Sequence, residues 1–315
     1  MRHLLPALLA LGLVAALPIL AHGATTFATP TTLAAVAKAA ACGDTLLVTG
    51  TIGPSRALTG RKCPGAALTI DYTRARITGG AYFTDLEGVT LIGGDWRSTL
   101  RMDRAKTVAL LGLKFTGAMP NSLTALTVLD GSGVTFVGGG FSLWYKAIKF
   151  DRVADWSITG TDFSNLSSDG INIVSTSRGR IANVTMGQFY QAPCTPPNCA
   201  HPDAIQAWDT RGPTTDLVIE DNVIDGLGAQ CIFLPNAGVR MTIQRNRLTC
   251  GQTSGINLLQ ALSGLVRGNT LSTIPGSPYA SKIVTSGAVV RCENTAAAYP
   301  GYAGLTEGGC PAGTP

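Results

Sequence analysis

The sequence predicts an all-β solenoid, a chain wound into stacked coils, on three observations. Glycine is frequent at 38 residues and charged residues make up only 14%. Val, Ile, Leu and Thr recur in short bursts separated by Gly, Asn, Asp and Ser. Second, one phrase repeats: apolar, any, apolar, two spacers, a small residue or Asn, any, large apolar. It reads VTLIGGDW, VALLGLKF, VTFVGGGF, WSITGTDF, ANVTMGQF, LVIEDNVI, MTIQRNRL and GLVRGNTL. Its central residues are Leu91, Leu110, Phe136, Ile158, Val184, Ile219, Ile243 and Val266, at steps of 19, 26, 22, 26, 35, 24 and 23. A step of this size is the mark of a repeat architecture. Third, Asn222, Asn246 and Asn269 fall at one equivalent position in successive copies. Asn tolerates the left-handed turn conformation and can hydrogen-bond up and down a stack. One coil cannot bury its apolar face, whereas stacked coils bury each inward side chain against its equivalent in the next. A β-sandwich would also give short strands, but not so readily this fixed phrase at this step.

In chain order, the first element is a leader. Arg2 and His3 precede an uncharged, mostly apolar run from Leu4 to Ala21, and Ala21-His22-Gly23 offers small residues where a signal peptidase reads. Residues 1–23 are therefore expected to be a cleaved secretory signal. Residues 24–315 are expected to be one domain of a secreted or periplasmic monomer, with no membrane association after cleavage. Next comes a cap over about 30–65, opened by helical periodicity in TLAAVAKAAACGDTL (residues 32–46). The coils follow over about 66–290, and about 291–315 wrap the far end. The eight cysteines suit an exported chain. The simplest pairing joins neighbours: Cys42 with Cys63, Cys194 with Cys199, Cys231 with Cys250, Cys292 with Cys310. No His/Cys cluster has zinc spacing. The formal charge of +5 suits an anionic partner. The basic residues are scattered and no nucleic-acid motif accompanies them.

A second strand precedes each phrase: YKAIKF, SDGINI, PDAIQA, AQCIFL and SGINLL. Aligned by the phrase, Ile148, Ile171, Ile205, Ile232 and Ile256 form one apolar column, read as core. The flanking columns are polar. One is Lys146, Asp169, Asp203, Gln230, Ser254; the other is Lys149, Asn172, Gln206, Phe233, Asn257. Side chains alternate along a strand, so the second column, next to the inward isoleucines, is expected to face outward. The first column lies one step further back, at the turn into the strand, where the bend lets its side chains also reach the outer face. Together they are expected to form a polar strip at a coil spacing of about 4.8 Å. Asp169 and Asp203 then lie one coil apart, suited to acid–base work or to holding a cation such as Ca. His201, the one histidine beyond the leader, arrives two residues before Asp203 from the longest coil, which holds CTPPNC. Each residue also has a structural reading. Asp169-Gly170 is an ordinary turn pair, Asp203 can cap a turn, Asn172 and Gln206 can form an amide ladder, His201 can be a loop residue, and the lysines can be solvated.

The repeated phrase, the opening AAVAKAAACGDTLLVTGTI and the stacked strands resemble the right-handed parallel β-helix proteins of the pectate-lyase-like superfamily. The resemblance covers nearly all of the chain beyond the leader and implies that fold, with a short N-terminal capping helix. It implies no single activity, because the fold carries lyases, hydrolases, epimerases and non-catalytic tailspike parts. Asp169-Gly-Ile-Asn and Asp203-Ala-Ile-Gln look like the stacked acidic motifs of β-helix polygalacturonases. The paired aspartate, GHG and RIK of that group are absent, as are the WIDH and RxPxxR of pectate lyases and the DPHD of alginate epimerases, although HPD uses the same residue types. The expected function is β-elimination on a uronic-acid-containing polysaccharide. Lys146, Arg178, Arg211 or a cation on Asp169 and Asp203 would neutralise the carboxylate, and His201 or Lys149 would be the base. Asn172, Gln206 and Gln230 would orient the sugar. The alternatives are glycoside hydrolysis by Asp169 and Asp203, and a non-catalytic polysaccharide-binding solenoid.

Overall fold

A computed structural model describes residues 23–119, 122–190, 202–236, 238–252 and 254–314. The leader through residue 22, His201, Cys194 and Cys199 lie outside the described residues. The chain is a right-handed parallel β-helix whose coils have three faces. The front face is a sheet of nine described strands, from Ala81–Thr84 to Ile283–Thr285, running in chain order. Each front strand leads into a second-face strand such as Ala154–Thr159, then into a short third-face strand such as Asp162–Leu166. The second and third faces join in one 23-stranded sheet.

The predicted register holds on the front face. Ile148, Ile171, Ile205, Ile232 and Ile256 pair in sequence and are fully buried, and the column continues to Leu126 and Leu100 on one side and Ile283 on the other. Beside it runs a column of small residues, Ala125, Ala147, Gly170, Ala204, Cys231 and Gly255. On the third face the core is a pile of rings: Trp96 and Phe115 have centroids 5.4 Å apart, Phe115 and Phe141 4.8 Å, Phe141 and Phe163 5.2 Å. Stacked, offset rings of this kind add to their area burial.

The second-face anchor column is Leu91, Leu110, Phe136, Ile158, Ile181, Ile219, Ile243 and Val266. Ile181, not Val184, occupies the place between Ile158 and Ile219. The phrase is hidden there because its first apolar position is Gly179. A Cβ on Gly179 would meet the Trp156 ring of the preceding coil at 2.3 Å, so the indole fills the space a side chain would take.

The asparagine column is a ladder one rung longer than predicted. The side chains of Asn222, Asn246, Asn269 and Asn294 donate to the backbone oxygens of Ile181, Ile219, Ile243 and Val266 at 2.8–3.2 Å. Each also donates to the next asparagine's Oδ1 at 2.9 Å, and Asn294 ends the series on Glu307 Oε2 at 2.6 Å.

The capping helix is shorter than its periodicity, Leu33–Ala39. The chain turns through Gly43, whose φ of 94° suits glycine, and extends from Thr45. Disulfides join Cys42 to Cys63, Cys231 to Cys250 and Cys292 to Cys310, as neighbour pairing predicts. No helix among the described residues is long and apolar enough to cross a membrane.

Candidate functional site

The polar strip lies on the front face, but most of it is buried rather than open. Asp169 is 3% exposed, Asp203 0%, Asn172 6%, Gln206 7% and Gln230 5%. Buried polar groups need partners, and these form a relay. The Lys146 ammonium sits 2.7 Å from Asp169 Oδ2. Asn172 Nδ2 donates to Asp169 Oδ2 at 3.2 Å and to Gln206 Oε1 at 2.7 Å. Gln206 Nε2 donates to Asp203 Oδ2 at 2.5 Å. Each carboxylate thus holds the amide three residues on, within its own strand segment, and the two amides meet across the coil boundary. Ser168 Oγ adds a 3.4 Å contact to Asp169 Oδ1, and Gln230 Oε1 accepts from Ser254 Oγ at 2.9 Å one coil further on.

The sequence places Lys149, Asn172, Gln206 and Phe233 in one outward row, and strand pairing shows the same order. Lys149 Nζ stands 3.3 Å from Asp151 Oδ2, and Arg152 Nη1 contacts Oδ1 of the same carboxylate. The lysine side chains are 28% and 37% exposed at 146 and 149, so they are the cations of the strip that reach solvent. A second outward row, two residues along each strand, escaped the sequence reading: Asp103, Leu129, Asp151, Val174 and Trp208. Its signal was the same strand alternation that located the first row. Trp208 and Phe233 meet edge to face with centroids 6.1 Å apart, giving an aromatic border beside the amides.

Two predicted binding residues lie elsewhere. Arg178 belongs to the second-face strand Ser177–Ala182 and pairs with Asp155 at 2.6 and 2.8 Å. Arg211 sits in the exposed turn after the front strand, its backbone N–H donating to Ser175 Oγ at 3.1 Å. The cation reading does not fit the donors. Calcium takes six to eight oxygens, whereas Asp169 and Asp203 already accept from amide N–H groups and the Lys146 ammonium. No group of three or more metal-ligating side chains occurs among the described residues.

Toward the N-terminal end the outward row continues through Thr127 and Arg101 to Tyr82. Tyr82 Oη donates to Asp103 Oδ2 at 2.7 Å, and Arg101 holds the same carboxylate with two hydrogen bonds at 2.9 and 3.1 Å. Burial pushes the Asp103 carboxyl up, but donation from Arg101 and Tyr82 outweighs it and keeps the acid below its ordinary value. The bond to Asp103, with burial second, raises the Tyr82 phenol.

No family model matches the sequence, and no curated protein matches it. Solved structures match its shape. A GH136 lacto-N-biosidase from Eubacterium ramulus is similar at a TM-score of 0.59 and 10% identity, over 86% of this chain and 67% of that one. PfbA, a surface adhesin of Streptococcus pneumoniae, matches at 0.55 and 10% identity, over 81% and 74%. An alginate lyase from Paenibacillus sp. str. FPU-7 matches at 0.50 and 14% identity, over 86% of each chain. At these identities the likeness is one of fold.

Proposed function

We propose that the front face processes a uronic-acid-containing polysaccharide by β-elimination. The observation that carries this reading is the contrast between two polar stacks in one molecule. The asparagine ladder repeats one residue type, binds backbone at every rung and runs through four coils. The front-face relay repeats only its aspartate, at 169 and 203, and otherwise varies from coil to coil, joining a cation, two carboxylates and two different amides through side chains alone. A stack that serves only stability has no need of such variety. Fully satisfied buried networks hold their members in one geometry, which suits groups that must meet a sugar in fixed positions.

In this reading Lys146 neutralises the substrate carboxylate, which acidifies the proton at C5. His201 takes that proton, the electron pair forms the C4–C5 double bond, the C4–O bond breaks, and Lys149 protonates the departing oxygen. Asn172 commits both amide hydrogens to Asp169 and Gln206, leaving its Oδ1 to accept from a sugar hydroxyl. Trp208 and Phe233 offer ring surface to the pyranose. The alginate lyase and the lacto-N-biosidase among the structural neighbours support a saccharide partner. The three disulfides support export.

A second reading, a surface that binds polysaccharide without cleaving it, is favoured by the burial of both carboxylates and by the adhesin among the neighbours. Hydrolysis by Asp169 and Asp203 has less support. An inverting pair needs room for a water between its carboxyl groups, and here two amides link them.

The test is incubation with a panel of acidic polysaccharides, following unsaturated uronate ends by ultraviolet absorbance and reducing ends in parallel. Elimination yields both signals. His201→Ala should lower the rate by about 10²–10⁴-fold, the usual contribution of a general base. Reducing ends without unsaturation would establish hydrolysis, and full activity in His201→Ala would remove the proposed base.

A further inference from the structure

A second concavity lies at the N-terminal cap, between the capping helix and the segment 52–61. Its volume is about 610 Å³, within the range of small-molecule sites, about 300–1,000 Å³. Leu33, Ala37 and Pro54 contribute apolar wall, and Lys38, Arg56 and Arg61 contribute charge. No Asp or Glu lines it. That is unusual for this molecule. Along the coils Arg76, Arg104, Arg178, Arg240 and Arg267 each face a carboxylate within 3.0 Å. The three cations of the cleft face none among the described residues.

Structural roles account for part of this. Arg61 Nη2 donates to the Ala40 carbonyl at the end of the helix, at 2.5 Å, and Lys38 lies in the last helical turn, where a cation complements the exposed carbonyls. Those roles leave the buried Arg61 Nε without a partner. An unmade hydrogen bond from a charged donor is expensive, and an anion beside the guanidinium would stabilise its charge. Arg56 stacks over Tyr82, 5.0 Å from the ring centroid, which fixes its guanidinium at the rim without neutralising it.

We infer that this cleft binds an acidic saccharide, with its carboxylate on Arg61 and Arg56 and its apolar ring face on the Leu33 and Pro54 wall. The anion part rests on the cleft alone, and the saccharide part rests on the reading of the front face. The cleft opens onto that face. Ser55 bridges to Ala81, the first residue of the first front strand, and Tyr82 begins the outward row that reaches Lys149 three strands later. At about 4.8 Å per strand that separation is roughly 14 Å, so a glycan running along the helix axis can occupy the cleft and the front-face strip together. The cleft would anchor one end of the chain.

The experiment uses the full protein with trigalacturonate and triguluronate. Binding is measured by calorimetry and located by hydrogen exchange. One of the two trisaccharides should protect residues 30–61. Arg56→Gln, which leaves the Arg61–Ala40 bond intact, should weaken that protection and the affinity at least about tenfold, as expected for a lost charged hydrogen bond. The methyl-esterified trisaccharide should not protect the segment. No protection of 30–61 by either acid, or equal binding in Arg56→Gln, overturns the site. Equal protection by inorganic sulfate at the same concentration overturns the saccharide assignment. Protection confined to residues 146–233 overturns the cleft while leaving the front-face reading standing. Protection of 30–61 with no polysaccharide cleavage in the activity panel does the reverse.

Discussion

At the scale of single residues, the site depends on small side chains as much as on polar ones. Gly170 follows Asp169, and in sequence the pair reads as a turn. In the structure Gly170 is a rung of the small column beside the isoleucines, and a Cβ there would meet the Ala204 carbonyl oxygen at 2.5 Å and the Phe189 ring at 3.3 Å. The adjacent coil cannot retreat, because Gly170 N–H donates to the Asp203 carbonyl at 2.9 Å. Gly170→Ala should therefore destabilise the protein by about 1–3 kcal/mol, the usual cost of overpacking, and should shift Asp169 against Asp203. Gly228→Ala is the control. Nothing lies within 4 Å of its added Cβ, and its change should stay within about 0.5 kcal/mol. Chemical denaturation of the two variants checks this, and equal losses would show that the small column is not a steric requirement. Much of this was legible: the isoleucine register follows from the repeated phrase, and the row through Lys149, Asn172 and Gln206 follows from alternation, whereas the aspartates reach the strip only through the bend into each strand. Burial of the polar rows was not legible, because alternation gives the direction of a side chain and says nothing of what covers it.

At the scale of the element, the coil corners carry a second code. Asp85 and Arg104, Asp130 and Arg152, Asp155 and Arg178, Asp216 and Arg240, and Asp221 and Arg245 are pairs in successive coils, and all ten residues have φ between 49° and 56°. Asp tolerates this left-handed region, whereas Arg does so at a cost. The two-pronged carboxylate–guanidinium bond across the corner offsets that strain and ties each coil to the next. This is why the sequence does not mark Arg178 as a corner residue. A positive φ leaves no mark on an arginine in sequence, so a corner arginine is indistinguishable from one aimed at substrate. Hydrogen bonding to the partner arginine holds all five aspartates below the ordinary carboxylate value. With folded values depressed, the unfolded chain binds more protons on acidification. The stabilisation is therefore complete above the ordinary carboxylate range and is lost as pH falls through the depressed folded values. The thermal midpoint should fall from about pH 5 downward. Arg152→Asp should lower it further at neutral pH, and adding Asp130→Arg should restore part of the loss. A midpoint indifferent to both changes would show that the corner pairs contribute nothing.

At the scale of the whole molecule, a solenoid must close its two ends, because an open terminal coil presents unpaired strand edges to other chains. Neighbour pairing of the cysteines was readable because each described bridge joins segments at most 21 residues apart, about one coil. What the bridges do is visible only in three dimensions. At the far end Cys292–Cys310 returns the last segment over the final coil. There Leu305–Thr306 pairs antiparallel with Thr295–Ala296, against the parallel direction of the other paired strands. Glu307 then receives both Asn294 Nδ2 at 2.6 Å and Arg291 Nε at 2.8 Å, ending the asparagine ladder on a carboxylate instead of an open amide. Removing the bridge with Cys292→Ser and Cys310→Ser releases a loop with a sequence separation of 18, for which chain entropy predicts a loss of roughly 3 kcal/mol. In a stack where each coil contacts only its neighbours, that loss should act locally. Hydrogen-exchange protection should fall first over residues 264–306, while the Lys146–Gln206 relay stays protected and cleavage of any substrate found is retained. Self-association should appear at the same time by size exclusion, as the last strand edge becomes available to a second chain. A uniform loss of protection along all coils would show that the end is not an independent closure but part of one cooperative unit.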